Sequence, residues 1–523
     1  MVCVEYTKEE STMTLSPSIL KHAAYFKSCH INSVQNLREG FMLGGEEWEE
    51  DTLVFDMRPI KRLQNRCPIC MKKCPKNGYY HTVSSRWRAK DLMGCRVWLS
   101  YRPQMITCPD HGTRNEYIPW ADGNTRFTPD FNDMVAWLAG RMTRQDIVLA
   151  VGINWRTVGN CIAAAWHRAE PDVKQRLRGL KRICVDETSY KTGHKYMTVV
   201  YDLDKYQVVW VHDQHGTEVF GAFCEQLTEQ ERAQIEVVAG DGARWIDTCV
   251  EKYFPNATRC VDPFHVTQWA NEALDDVRKT AASKARAAYR ALKKAYEEQQ
   301  KQLQEGIEID GQISLEEIEK AEELSKVVKG AKYALAHSPE NRTATQENTI
   351  QMIEHSDPDL AQAYQMKEKL RVVLHTKDAD SAAALLDEWI KECSESVWPK
   401  LRELAQKIAR HRKNILNSIR FGANSARSES TNTTIKSLIK MARGFWNFNN
   451  MASLIYLKCS NIVIPVNDRI RLDGELRVKR REYMREYRKA REQKRRKVAL
   501  TRMSDREPMY HLYQLSTEAS ATA

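Results

Sequence analysis

Between Lys181 and Gln268, apolar runs of strand length alternate with stretches of helical periodicity. The run in KRICVDETSY ends in two carboxylates, Asp186 and Glu187. YMTVVYDLDKYQVVWVHD carries β-branched and aromatic residues on both sides of a turn at Leu203–Lys205, the pattern of a hairpin. TEVFGAFCEQLTEQERA predicts a helix, and IEVVAGDGARW predicts a strand that ends in Asp241. A further helix and strand then reach VDPFHV, with Asp262 and His265. Open α/β sheets bind ligands at the C-terminal ends of their strands, so carboxylates delivered there predict a site. Two such carboxylates have the chemistry to hold divalent cations against phosphate oxygens.

The pattern changes on either side of this stretch. Residues 270–425 carry hardly any strand signal: KTAASKARAAYRALKKAYEEQQKQLQ is a charged helix, broken between Gly306 and Gly311, and more helices follow through HRKNILNSIRFG. Residues 124–175 also read as helical. Within MTRQDIVLAVGINWRTVGNCIAAAWHRA, Thr143 is an N-cap for a helix through Ala150, and Gly152 permits a turn. A second helix begins at Asn154 or Trp155 and runs through Trp166. This is the helix-turn-helix pattern, presenting Asn154, Arg156 and Asn160, although an ordinary helical hairpin has the same spacing. Nearer the N-terminus, SPSILKHAAYF predicts a short helix, and GGEEWEEDTLVFDMRP leads into a strand. Towards the C-terminus, Glu429 opens an amphipathic helix with Ile435, Leu438 and Ile439 on its apolar face. By itself that glutamate is explained by the helix dipole.

At 523 residues the chain has room for two to four domains, and 42% hydrophobic with 28% charged residues reads as soluble and globular. The net charge of +11 favours a polyanionic partner, and the base is clustered. Residues 469–497 hold Arg480, Arg481 and Arg488 with interleaved Tyr483 and Tyr487, a basic arm suited to nucleic acid or a solvated tail. Lys284, Arg286 and Arg290 form a second patch, able to track a phosphate backbone or to be a solvated helix face. No N-terminal apolar region and no membrane-length apolar run occur, which predicts a cytoplasmic protein. Fourteen cysteines then point to reduced thiols and a metal site. Cys67-Pro-Ile-Cys70 and Cys108-Pro-Asp-His111 supply three thiolates and an imidazole on two tight turns, a tetrahedral Zn²⁺ shell; buried reduced cysteines are the plainer alternative.

Knuckles, helix-turn-helix, split carboxylate core and helical insertion, in that order, resemble the DDE transposases of bacterial insertion sequences, most closely the ISL-three family. The resemblance covers about residues 60–460 and rests on the Asp186-Glu187 strand end, Asp262-Pro-Phe-His265-Val266, the Glu429-Ser-Thr-Asn432 helix start, Ile435-Lys436 and Arg443-Gly-Phe-Trp-Asn-Phe448. It implies a multidomain α/β protein. An RNase H-like core with a mixed five-stranded sheet would be interrupted by an all-helical insertion and preceded by a zinc ribbon and a helix-turn-helix. The implied boundaries are 1–120 for the zinc-binding part, 121–176 for the helix-turn-helix and 177–270 for the first part of the core. The insertion would span 271–425, the final core helix 426–462 and a basic tail 463–523.

It also implies a catalytic Asp-Asp-Glu triad with Mg²⁺ or Mn²⁺. Asp186 is the first member and Glu429 the last. The second follows the fourth strand, beside the first, which fits Asp241; Asp262 ends the next strand. Adjacency favours Asp241, with Asp262, His265 and Glu187 supporting the site. Two departures stand out: ANSARS precedes Glu429 where a glycine is often seen, and His111 stands where a cysteine is common. The implied activity is metal-dependent cleavage and strand transfer on double-stranded DNA, with terminal inverted repeats and target DNA as partners, by a homo-oligomer at the nucleoid. A catalytically inactive DNA-binding derivative, or a nuclease that cuts without joining, are the alternatives.

Overall fold

The computed structural model of the chain describes residues 28–466, apart from 44–45, 80–81, 93, 124, 171, 192, 194, 306–311, 377, 423–425, 446, 461 and 465, together with Tyr487 and Arg491. The helix predicted in SPSILKHAAYF lies outside the described residues. Two units are present, Met1–Val173 with Thr434–Leu476, and Lys174–Thr433 with Arg477–Ala523.

In the first unit, β1 (Cys29–Leu43) and β2 (Glu46–Pro59) form a long antiparallel hairpin. β2 runs parallel to β5 (Cys95–Tyr101), which pairs antiparallel with β4 (Ser85–Leu92), giving the order β1-β2-β5-β4. Alternate residues of a strand face one side, and here Leu53, Phe55, Met57, Trp87, Ala89, Val97 and Leu99 gather around Trp120. A second sheet joins β3 (Lys76–Tyr79), β6 (Gln104–Cys108) and β7 (Gly112–Asn115) in the order β3-β6-β7. Helices α1 (Pro129–Ala139), α2 (Arg144–Val151) and α3 (Trp155–Ala169) follow. Thr143 caps α2 by accepting from the Asp146 amide, and Gly152 at φ 65° ends it. Asn154 caps α3 by accepting from the Arg156 amide at 2.9 Å. α2 and α3 meet at 95°, the angle of a helix-turn-helix.

In the second unit, β8 (Arg182–Lys191), β9 (Lys195–Asp202), β10 (Gln207–Asp213), β11 (Val237–Gly240) and β12 (Thr258–Val261) form a five-stranded sheet of order β10-β9-β8-β11-β12. β10, β9 and β8 are antiparallel and β8, β11 and β12 parallel, so the sheet is mixed. Helices α4 (Thr217–Gln226) and α5 (Arg244–Tyr253) send Phe220, Phe223, Ile246 and Val250 against Ile183, Val185 and Val200.

The 42-residue α6 (Pro263–Gln304) then leads into α7 (Leu315–Gly330), α8 (Ala344–Ser356), α9 (Pro358–His375), α10 (Ala379–Ser394) and α11 (Pro399–Arg420). These share a core of Leu274, Val277, Tyr364, Leu370, Trp389 and Ile408. α11 returns to the sheet, where Asn417 Nδ2 donates to the Arg259 carbonyl at 3.1 Å and Ser418 Oγ to that of Val261 at 2.6 Å. Those bonds occupy carbonyls of the edge strand that would otherwise be open to pairing. α12 (Ala426–Ala442) and α13 (Phe448–Cys459) follow. Among the described residues no single helix is long and apolar enough to cross a membrane.

Gly240 pairs with Val185 on one side and Val261 on the other. A Cβ there would lie 2.9 Å from the Val185 carbonyl oxygen and 2.8 Å from Ile246 Cδ1. The carbonyl is part of the sheet backbone, so β8 and β11 would have to separate. Gly240→Ala is expected to cost about 1–3 kcal/mol, read as a lower urea midpoint with an unchanged far-UV spectrum. An unchanged midpoint would mean that the strands have room to spare.

Candidate active site and cysteine cluster

The parallel register puts Val185, Gly240 and Val261 in one row. The residues that follow them, Asp186, Asp241 and Asp262, therefore leave three adjacent strands at the same level. Asp186 is still within β8, whereas Asp241 and Asp262 begin the turns that lead into α5 and α6. Asp241 Oδ1 accepts from the Ala243 amide at 3.0 Å, and its carbonyl is held by Arg259, which also binds Asp247 at 2.8 Å. Close packing follows Asp241 directly: a Cβ on Gly242 would come within 2.8 Å of the Trp269 ring. Asp262, 3% exposed, caps α6 by accepting from the Phe264 amide at 3.0 Å. His265, one turn into α6, has Nε2 4.0 Å from Asp186 Oδ1 and 3.9 Å from Asp262 Oδ2.

Successive residues of β8 face opposite ways. On one face, Asp186 Oδ1 accepts from the Glu187 amide at 2.8 Å and Oδ2 accepts from Asn432 Nδ2. Asn432 Oδ1 in turn accepts from the Thr188 hydroxyl at 3.1 Å and from the Tyr201 hydroxyl. The amide of α12 is thus fastened to β8 and β9 through three side chains. Glu429 lies three positions earlier on α12, which puts both positions on one helix face; the Glu429 side chain lies outside the described ones. On the opposite face of β8, Glu187 meets His215 Nδ1 at 3.2 Å. Burial raises the Glu187 carboxyl above the usual carboxylate range, His215 pulls it down and Asp241 pushes it up.

The cysteines converge in the first unit. Met71 at φ 57° closes the first knuckle, where its amide donates to the Cys67 carbonyl at 2.9 Å, and the turn between β6 and β7 presents Cys108 and His111. Cys70 and Cys108 sulfurs are 3.6 Å apart, and His111 Nδ1 lies 3.6 Å from Cys108 and 3.7 Å from Cys67. All four ligating atoms lie within 4.8 Å of one another. A tetrahedral shell with metal–sulfur bonds of about 2.3 Å has edges of roughly 3.6–3.8 Å, so the four fit such a metal. Burial opposes ionisation of Cys108, but the His111 hydrogen bond and the Asp110 and His111 amides bring the thiol down to about 6. Cys74 packs beside these four, and its thiol donates to the Lys72 carbonyl at 3.3 Å. Among the described residues no other group of three or more ligating side chains converges so closely, and the strand-edge carboxylates stand further apart.

Of the remaining predicted residues, Asn154 is occupied as the α3 cap, and Arg156 and Asn160 are exposed. Lys284, Arg286 and Arg290 are exposed on α6, with Lys284 Nζ 5.1 Å above the Trp398 ring. Arg480, Arg481 and Arg488 lie outside the described residues. The sequence reading assigned no role to Asn432, Thr188, Tyr201, His215 or Arg259. Only Asn432 had a signal, its spacing of three from Glu429.

Comparison with known proteins gives the family. Residues 183–455 match the family profile of a DDE-type transposase of the ISL3 group, and residues 116–166 match the helix-turn-helix domain of transposase family ISL3. The chain is 35% identical over 406 residues, 76% of its own length and 88% of the relative's, to the transposase for insertion sequence element IS1557 of Mycobacterium tuberculosis, strains CDC 1551 / Oshkosh and ATCC 25618 / H37Rv. It is 23% identical over 418 residues, 78% of this chain and 92% of the relative, to the transposase for insertion sequence element IS1001 of Bordetella parapertussis. The chain belongs to the ISL-three family of insertion-sequence transposases.

Burial also raises the Asp186 carboxyl, against His265, the Glu187 amide and Asn432, which lower it, while Asp262 adds to the rise. A folded-state value above the unfolded value of about 3.9 favours folding only at low pH, and that contribution is lost as pH rises through the raised value. The ionised carboxylate therefore costs stability at neutral pH. Asp186→Asn is expected to unfold at a higher temperature than wild type at pH 7 in chelator, with the gain vanishing as pH falls through the carboxylate range. A gain of equal size at both ends would exclude ionisation as its cause.

Proposed function

We propose that the chain binds the terminal inverted repeats of its element and catalyses metal-dependent strand cleavage and strand transfer. The observation that carries this reading is the common level of Asp186, Asp241 and Asp262, together with the Asn432 bond that ties the Glu429 helix to Asp186. The sheet order and the helical segment between β12 and α12 support an RNase H-like core with an insertion.

Asp186, Asp241 and Glu429 would hold two Mg²⁺ or Mn²⁺ ions, whose hard character suits carboxylate oxygens. The donor set fits: Asp186 is a buried carboxylate raised by desolvation, and a cation would relieve that cost. Bound there, the metal supplies Lewis acidity that readies water or a 3′-hydroxyl for in-line attack and offsets charge on the leaving oxygen. Asp241 is preferred as second ligand because Asp262 is buried and committed to capping α6. Asp262 and His265 then orient Asp186, Asn432 fixes its second oxygen, and Glu187 with His215 sits on the other face of the strand. Cys67, Cys70, Cys108 and His111 would hold a structural Zn²⁺. With the helix-turn-helix residues Arg156 and Asn160 that module would recognise the repeats. The basic residues Lys284, Arg286, Arg290, Arg480, Arg481 and Arg488 would hold flanking or target DNA. Synapsis of two ends requires at least a dimer.

Cleavage and joining on a duplex carrying the element's ends should fall by about 10³-fold or more in Asp186→Ala, Asp241→Ala and Glu429→Ala. Asp262→Ala and Asn432→Ala should lose about 10–100-fold. Inactive Asp262→Ala beside active Asp241→Ala would reassign the second ligand, and repeat binding without any metal-dependent chemistry would leave a DNA-binding protein only.

For the cysteine cluster, purified protein should carry about one zinc per chain, reduced in Cys108→Ser. Chelation should lower the melting temperature. Metal-free protein with unchanged melting would remove the structural role.

A further inference from the structure

The first unit contains a cation without a counter-charge. Arg144, the first residue of α2, is 6% exposed. Its guanidinium carbon lies 4.7 Å from the centroid of the Trp155 ring and 4.3 Å from that of Phe445. Stacking on aromatic rings leaves a guanidinium's in-plane N–H groups available to bond. Among the described residues, no carboxylate pairs with it and no oxygen accepts from it. Holding a charge with so little exposure and no charged partner is costly, and an anion entering from outside the chain would offset that cost.

The guanidinium lines a cleft of about 360 Å³, together with Trp155, Arg156, Asn160, Phe445 and Asn450. The lining holds two cations and several side-chain amides but no carboxylate. The N-terminus of α3 opens onto it and adds the positive end of a helix dipole. One wall is set by an unusual turn: Arg443 at φ 50° and Gly444 at φ 97° are successive left-handed residues, and Phe445 follows them onto Arg144. A left-handed arginine is a strained conformation that persists only where the surroundings enforce it. α13 is held equally close to α3, since a Cβ on Gly159 would overlap the Asn450 amide.

We propose that this cleft receives one phosphodiester group of bound DNA, with the Arg144 edge and the neighbouring amides as donors. The inference rests on the DNA-binding reading above and names the place of one backbone contact within it.

The test uses the full chain and a duplex bearing the element's ends, in which single phosphates are replaced one at a time by neutral methylphosphonates. Wild type should show one phosphate whose neutralisation weakens binding about tenfold. Arg144→Lys, which keeps the charge but not the fork, and Asn160→Asp, an exposed change at the rim, should lose affinity. The same methylphosphonate should then cost them nothing more. Their slope of log affinity against log salt should be shallower by about 1. Wild-type slopes and an unchanged methylphosphonate profile in both variants would overturn the site while leaving DNA binding in place. No DNA binding by wild type would overturn both. Selective competition by inorganic phosphate, at ionic strength matched with chloride, would assign the cleft to a free anion and overturn the DNA contact.

Discussion

The second unit depends on how closely β8 and β11 approach one another. Gly240 has no side chain, so the two strands and β12 can share one register, and that register decides where three carboxylates emerge. If β11 slipped by one residue, the side chain at each of its positions would point to the opposite face. The local sequence AGDGA is therefore a packing solution on both sides of Asp241: Gly240 fits against β8 and Ile246, and Gly242 fits against Trp269 and His411.

Burial then gives the carboxylates different characters. Asp262 spends an oxygen on the N-terminus of α6 and is almost wholly enclosed, whereas Asp186 is bonded by side chains from β9 and α12 through the single amide of Asn432. An amide is well suited to that junction, because it donates to the carboxylate while accepting from two hydroxyls. A carboxylate there would repel Asp186, and an apolar residue would leave three polar groups to find other partners. Burial opposes the ionised form of Asp186, a cost that a bound cation would relieve.

Much of this was legible in the chain. Strand-length apolar runs ending in acids located β8, β11 and β12, because the pattern and the breaking residues are local. Thr143, Gly152 and Asn154 located the helix-turn-helix for the same reason. The convergence of the two cysteine knuckles was legible because the spacings CxxC and CxxH put each pair of side chains on one tight turn. Contacts between distant segments were not legible. Nothing around His215 marks it as a partner of Glu187, since it follows an edge strand in sequence and reaches β8 only through the sheet order. Tyr201 and Thr188 read as ordinary strand residues, and only the arrival of Asn432 from more than two hundred residues away gives their hydroxyls a purpose.

The same limit applies to the Arg443-Gly-Phe-Trp-Asn-Phe448 stretch, which stood out in sequence without a physical reason. Its left-handed turn and the aromatic residue after it make sense once α13 is seen packed on α3, where Tyr456 stacks on Trp166 at 5.1 Å. A helix-turn-helix usually needs a third element to bury the apolar side of its second helix. Here α1 and α13 share that role, and the turn before α13 places Phe445 against Arg144. A neutral residue at position 144 would fill the same space at less cost, so the charge is explained by what it faces in the cleft rather than by packing.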